Sequence, residues 1–181
     1  MRDIVLDGES LKIRDVVETG LGKTIVSLSN KAREKMENSR LGINRILQSG
    51  ETTYGVNTGF GALSSVSIDS DKLEALQVNL IRSHACGVGE EMENKHTLMM
   101  MLIRANTLCR GNSGARPLIV DTLISMINHK ICPAIPRIGS LGASGDLAPL
   151  SHLAMGMMGE GFCYIMDEGG NWNKVPALDA L

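Results

Sequence analysis

The residues best suited to chemistry in this chain of 181 residues run from Ile138 to Leu150, Ile-Gly-Ser-Leu-Gly-Ala-Ser-Gly-Asp-Leu-Ala-Pro-Leu. Small residues and glycines here deliver an adaptable backbone to the mouth of an apolar, helix-like segment. Three chemistries suit such a place. Backbone N–H groups at a helix start can cradle an anion, although the chain has neither the lysine of a P-loop nor a strand-flanked Gly-x-Gly-x-x-Gly. Ser144 could be a nucleophile with His152, the nearest histidine in sequence, as its base, but no Gly-x-Ser-x-Gly elbow surrounds it. The third chemistry uses the chain itself. Gly145 offers an unhindered amide nitrogen, Ala143 is small, and Ser144 can lose its hydroxyl as water. Ala143-Ser144-Gly145 could therefore close a five-membered ring and leave an alkene, an electrophile that no ordinary side chain supplies.

Two other places could serve such a centre. Thr52 to Leu63 combines three glycines, a turn-forming Asn57, Tyr54 and Phe60, which is loop composition carrying aromatic function. Ser83 and His84 fall in the last turn of a helix that ends before Cys86-Gly87-Val88-Gly89. A histidine there can satisfy a helix-end carbonyl, interact with the helix dipole, or face a ligand.

The elements that must position these residues are mainly helical, with a few short strands. Asp3 to Leu6 and Gly22 to Leu28 read as strands, with Ser10 capping a helix through Glu18 between them. Ser29 or Asn30 caps a long charged surface helix that ends near Gln48, with Gly50 as its stop. Leu73, Leu76, Leu80 and Ile81 share one face of the next helix. Asn94 opens a helix whose centre, Leu98 to Ile103, is apolar all round and so is expected to be buried. Pro117 begins another, through His129. Ile131 to Pro136 must be extended, Asp146 to Met158 is helical, Phe162 to Met166 is a strand, and Asp167 to Leu181 reads as polar turn.

Bulk properties narrow the partners. Eighteen lysines and arginines against 20 acidic residues give no electrostatic footprint for nucleic acid or an anionic membrane. A small-molecule substrate fits better. No apolar run approaches the roughly 18 residues that span a bilayer. The four cysteines, Cys86, Cys109, Cys132 and Cys163, lack metal-site spacing and read as buried reduced thiols. No metal or nucleotide cofactor is expected. Met1 to Gly8 contain no apolar signal core and no transit-peptide composition, and a cytoplasmic location is expected.

The motif Gly139 to Leu150 resembles that of the histidine and aromatic amino-acid ammonia-lyases. Three more stretches match that family in the same order: Thr53 to Gly61, Leu76 to Gly89, and Arg104 to Leu108 with Gly111 to Pro117. The resemblance implies the N-terminal domain of the L-aspartase/fumarase-like superfamily, here a single domain over residues 1–181 without the long central helical bundle. It implies that Ala143, Ser144 and Gly145 cyclise to methylidene-imidazolone (MIO), that Asp146 assists, and that Tyr54 removes the substrate β-proton. Tyrosine is a weak acid in water, so such a base needs donors or positive potential around its phenolate. Ser83 and His84 would contact the substrate side chain. Ser-His resembles the histidine-specific members, which implies conversion of L-histidine to urocanate; a tyrosine or phenylalanine lyase and a 2,3-aminomutase are the alternatives. Family members are longer homotetramers whose later segments complete the pocket. This chain alone is therefore expected to be inactive, with its ring unclosed, and to be a fragment or a subunit needing a complementary C-terminal chain. Bare apolar helices around Leu98 to Ile103 and Leu118 to Ile127 would make it a homo-oligomer.

Overall fold

The computed structural model describes residues 1–59, 68, 72–140 and 147–181. Its first unit is a strand, a helix and a strand: β1 (Arg2–Leu6), α1 (Ile13–Gly20) and β2 (Thr24–Leu28). The strands pair in parallel from Arg2↔Thr24 to Leu6↔Leu28. Ile4, Leu6 and Val26 point into the core while Val5 and Ile25 face out, the alternation of a sheet covered on one face. On the far side of β2, Asn128 supplies a side-chain amide in place of a third strand. Its Oδ1 accepts the Val26 N–H and its Nδ2 donates to the Val26 carbonyl, both at 2.9 Å.

Helix α1 does not start from Ser10. The Ser10 and Glu9 N–H groups donate to Asp7 Oδ1, each at 2.8 Å, so that residue belongs to a turn built on Asp7. The helix is capped two residues later, where the Lys12 N–H donates to Asp15 Oδ2 at 2.9 Å. Helix α2 (Asn30–Ser49) keeps both expected ends: Ser29 Oγ accepts the Ala32 N–H, and Gly50 closes it at φ 70°. It lies on the surface, burying only Ala32 and Met36.

The core is built by α4 (Asn94–Leu108) and α5 (Pro117–Asn128) against α1 and the β1–β2 pair. Leu98, Met101, Leu102 and Ala105 of α4 are fully buried with Val120, Leu123 and Ile127 of α5. The all-round apolar centre of α4 is nevertheless not buried all round, since Ile103 is 49% exposed. Most of the apolar surface of α4 and α5 is thus used inside this chain. One surface that stays open is a groove of about 460 Å3 between α3 (Leu73–His84), the outer face of α5 and α6 (Leu147–Met157). Val78, Ile81, Leu118, Ile119 and Met157 line it.

Short strands tie the remaining elements together. β3 (Val88–Glu91) pairs antiparallel with β5 (Pro136–Ile138), and β4 (Ile131–Pro133) with β6 (Phe162–Met166). The chain after Asp167 is not turn throughout: β7 (Trp172–Pro176) pairs with β6 from Phe162↔Pro176 to Met166↔Trp172, and a short α7 (Ala177–Ala180) follows. Asp167 makes the hairpin, its Oδ1 accepting the Asn171 N–H at 2.8 Å. Cys109, Cys132 and Cys163 are buried, but Cys86 is exposed, because it lies on the connector between α3 and β3. Among the described residues no helix is long and apolar enough to cross a membrane.

Candidate active site

Tyr54 stands on a turn that its neighbours make rigid. Asn57, almost wholly buried, accepts the Thr53 N–H on Oδ1 at 2.8 Å and donates from Nδ2 to the Glu51 carbonyl at 2.9 Å. The Val56 N–H returns to the Thr53 carbonyl at 3.1 Å. Gly55 has φ +76°, a left-handed conformation that a side chain would strain. The buried Thr58 hydroxyl donates to the Gly59 carbonyl at 2.9 Å and accepts the Gly55 N–H at 3.3 Å. This turn leaves Tyr54 65% exposed. Gly55 and Val56 border a cavity of about 570 Å3 whose other walls include Arg40, Gln77 and Arg116.

Ser83 and His84 end α3. His84 Nδ1 lies 2.8 Å from the Leu80 carbonyl, and the Ser83 hydroxyl donates to the same oxygen at 2.9 Å. A carbonyl only accepts, so Nδ1 carries the hydrogen and, in the neutral ring, Nε2 carries the lone pair. The helix-end role therefore occupies one ring nitrogen only. The Ser83 hydroxyl, 3.0 Å from Nδ1, further fixes the ring.

Beyond His84 the chain passes through a contact point of three segments. The Gly87 N–H donates to His152 Nε2 of α6 at 3.1 Å. A Cβ on Gly87 would lie 3.1 Å from both that nitrogen and Pro136 Cβ. A Cβ on Gly139 would lie 2.8 Å from Ala148 Cβ and 3.0 Å from Gly87 Cα. The residues bracketing 141–146 thus meet each other and the exit of α3. Ala143, Ser144, Gly145 and Asp146 themselves lie outside the described residues, as does Phe60. The closed bracket fits a backbone ring, which needs its flanking residues held together.

Polar clasps hold this region to the rest. Arg82, next to Ser83, reaches Glu160, three residues beyond α6, with Nη2 to Oε1 at 2.5 Å and Nε to Oε2 at 3.0 Å. Glu91 of β3 accepts from the Tyr164 hydroxyl at 2.6 Å and from Lys174 Nζ at 2.7 Å. Burial pushes the Glu91 carboxyl up, but the Lys174 and Tyr164 hydrogen bonds outweigh it and hold the group below the usual carboxylate range. Burial lowers the His152 imidazole from its ordinary value, which favours the neutral acceptor. Sequence reasoning missed the Gly87, Gly139 and His152 contact, whose only trace is that all three fall in or beside the matching motifs.

The match to known proteins is as extensive as this geometry. Residues 11–181 match the model of the family described as aromatic amino acid lyase. This chain belongs to that family. A histidine ammonia-lyase of Staphylococcus saprophyticus is 49% identical over 164 residues, 90% of this chain and 33% of the relative. Among solved structures of the family, the histidine ammonia-lyase of Trypanosoma cruzi superposes with a TM-score of 0.87 at 37% identity, over 100% of this chain and 34% of that one. A tyrosine aminomutase of Streptomyces globisporus gives 0.86 at 34% identity, over 99% of this chain and 32% of that one. The chain therefore spans about a third of the length of the lyases it matches.

Proposed function

We propose that this chain is the N-terminal part of a histidine ammonia-lyase, a carbon–nitrogen lyase that releases ammonia from L-histidine without oxidation and leaves urocanate. The observation that carries the reading is His84: with Nδ1–H committed to Leu80, its Nε2 is an acceptor at the mouth of α3, matched to an imidazole N–H donor. A phenyl ring has no such donor. A tyrosine hydroxyl has one, so a tyrosine lyase or aminomutase is the second reading, favoured by the likeness to the Streptomyces globisporus enzyme.

MIO, formed from Ala143, Ser144 and Gly145 with Asp146 assisting, would supply the electrophile that turns the substrate amine into a leaving group. The chain's other residues do the rest. Ser83 and His84 orient the substrate ring. Tyr54 takes the β-proton as the Cα–N bond breaks, so the substrate loses ammonia and gains a Cα=Cβ double bond. The exposure of Tyr54 and the open α3–α5–α6 groove support a site completed by further polypeptide, either a complementary C-terminal chain within a homo-oligomer or the remainder of a longer chain. A cytoplasmic setting suits exposed Cys86 as a free thiol.

The test is to purify the chain alone and together with a chain matching the other two thirds of its relatives, then supply L-histidine, L-tyrosine and L-phenylalanine. The chain alone is expected to be inactive and to keep its full mass. The assembly is expected to lose the mass of two waters per subunit on ring closure and to form urocanate. Turnover of tyrosine or phenylalanine without histidine overturns the assignment.

A further inference from the structure

We propose that His152 is a positioning residue of this site, which accepts the Gly87 N–H on Nε2 and so fixes Ser83 and His84 against the bracket formed by Gly139 and Ala148. The catalytic meaning of that link rests on the lyase reading; the link itself does not. Between the end of α3 and the first β3 pair, Val88↔Ile138, the chain has a three-residue connector, Ala85-Cys86-Gly87. Ala85 still belongs to the helix end, its N–H donating to the Ile81 carbonyl at 3.0 Å. Gly87 instead donates to a side chain 65 residues away. That one bond joins the helix carrying Ser83 and His84 to α6, whose first residue, Leu147, comes two positions after Gly145 in sequence.

The chemistry of the residue suits the task. An imidazole on α6 reaches across to Gly87 with an acceptor at its tip, and its Cδ2 would be 3.3 Å from a Gly87 Cβ, so the same ring also fills the space that glycine leaves. Half-burial disfavours the imidazolium, which has no lone pair to offer. Glutamine can present an acceptor oxygen over a similar reach, whereas leucine fills volume and accepts nothing.

Cys86 offers a native thiol on the connector as a reporter. It is exposed, while Cys109, Cys132 and Cys163 are buried, so iodoacetamide added to the native chain modifies Cys86 first. His152→Leu is expected to raise hydrogen exchange at the Gly87 amide about fivefold, the effect of losing one ordinary hydrogen bond, and to change the Cys86 alkylation rate in the same direction. His152→Gln is expected to stay within about twofold of the parent, because its acceptor replaces Nε2. A parent-like exchange rate for His152→Leu overturns the proposal, and so does a His152→Gln rate as high as that of His152→Leu, which would make the ring mere packing. Should His152→Leu fail to fold, hydrogen exchange at the Gly87 amide of the parent decides: strong protection supports the bond, and exchange as fast as in an open peptide overturns it. These readings involve no turnover. Failure of the lyase reading would appear only in the substrate assays and would leave the Cys86 pattern unchanged.

Discussion

Helix α4 buries Thr97, Leu98, Met101, Leu102, Ala105 and Leu108, whereas α3, only three residues shorter at 12 against 15, buries none. The two helices belong to regions stabilised by different means. Around α4, close-packed aliphatic and methionine side chains are removed from water, the dominant source of folding free energy. Around the end of α3, the chain is held by glycine contacts, one histidine and two carboxylate clasps. The helix that bears Ser83 and His84 is thus attached mainly by polar groups at its end, while its length lines an open groove. A region of that kind is completed by whatever polypeptide covers it, and until then it opens at lower cost than the core.

Truncations test this difference most severely. Leu102→Ala removes a side chain with no exposure and is expected to cost about 2–5 kcal/mol, read as a lower midpoint in urea. Leu76→Ala on α3 is expected to cost under about 1 kcal/mol in the same assay. Equal losses would break the contrast. Gly139→Ala comes next: its methyl group would meet Ala148 Cβ at 2.8 Å, with neither partner able to swing aside, and about 1–3 kcal/mol is expected to be lost. Because that strain separates the bracket, Gly139→Ala is also expected to raise the Cys86 alkylation rate while leaving hydrogen exchange in α4 unchanged.

Acid gives the smallest and most selective effect. The folded-state pKa of Glu91 is below its ordinary value of 4.5, so its contribution is fully present above that value and is lost as pH falls through the folded one. Lowering the pH is therefore expected to loosen β3 from Tyr164 and Lys174 before it disturbs the apolar core. Thermal midpoints measured from neutral pH into the acid range should fall less for Glu91→Gln than for the parent. Parallel falls would remove Glu91 from the account.

The same division explains what could be read from the sequence. Ser29 and Gly50 marked α2 because capping is a local matter of hydroxyl and backbone. Pro117 marked α5 for the same reason. Ser10 misled, since Asp7 captures its N–H and the Lys12 and Asp15 pair caps the helix instead. β3 escaped notice because Val88-Gly89-Glu90-Glu91 has no strand pattern of its own and is defined by its partner β5. β7 was hidden in a polar stretch whose pairing follows from the Asp167 turn. Tyr54, Ser83 and His84 stood out in the sequence as residue types near glycines, and the structure places the first on a hydrogen-bonded turn and the other two at the end of α3. The His152 bond did not stand out, because local patterns carry no record of a contact across 65 residues.

The amide of Asn128 has a consequence for synthesis of the chain. β1 and β2 can pair as soon as Leu28 has emerged, yet the outer edge of β2 is closed only by a residue 102 positions after Val26. At typical translation speeds that interval is on the order of 5 to 20 s. During it the nascent ladder presents a bare edge, a template for pairing with a neighbouring chain on the same message. The hazard of misassembly along that edge is thus greatest early, before α5 exists.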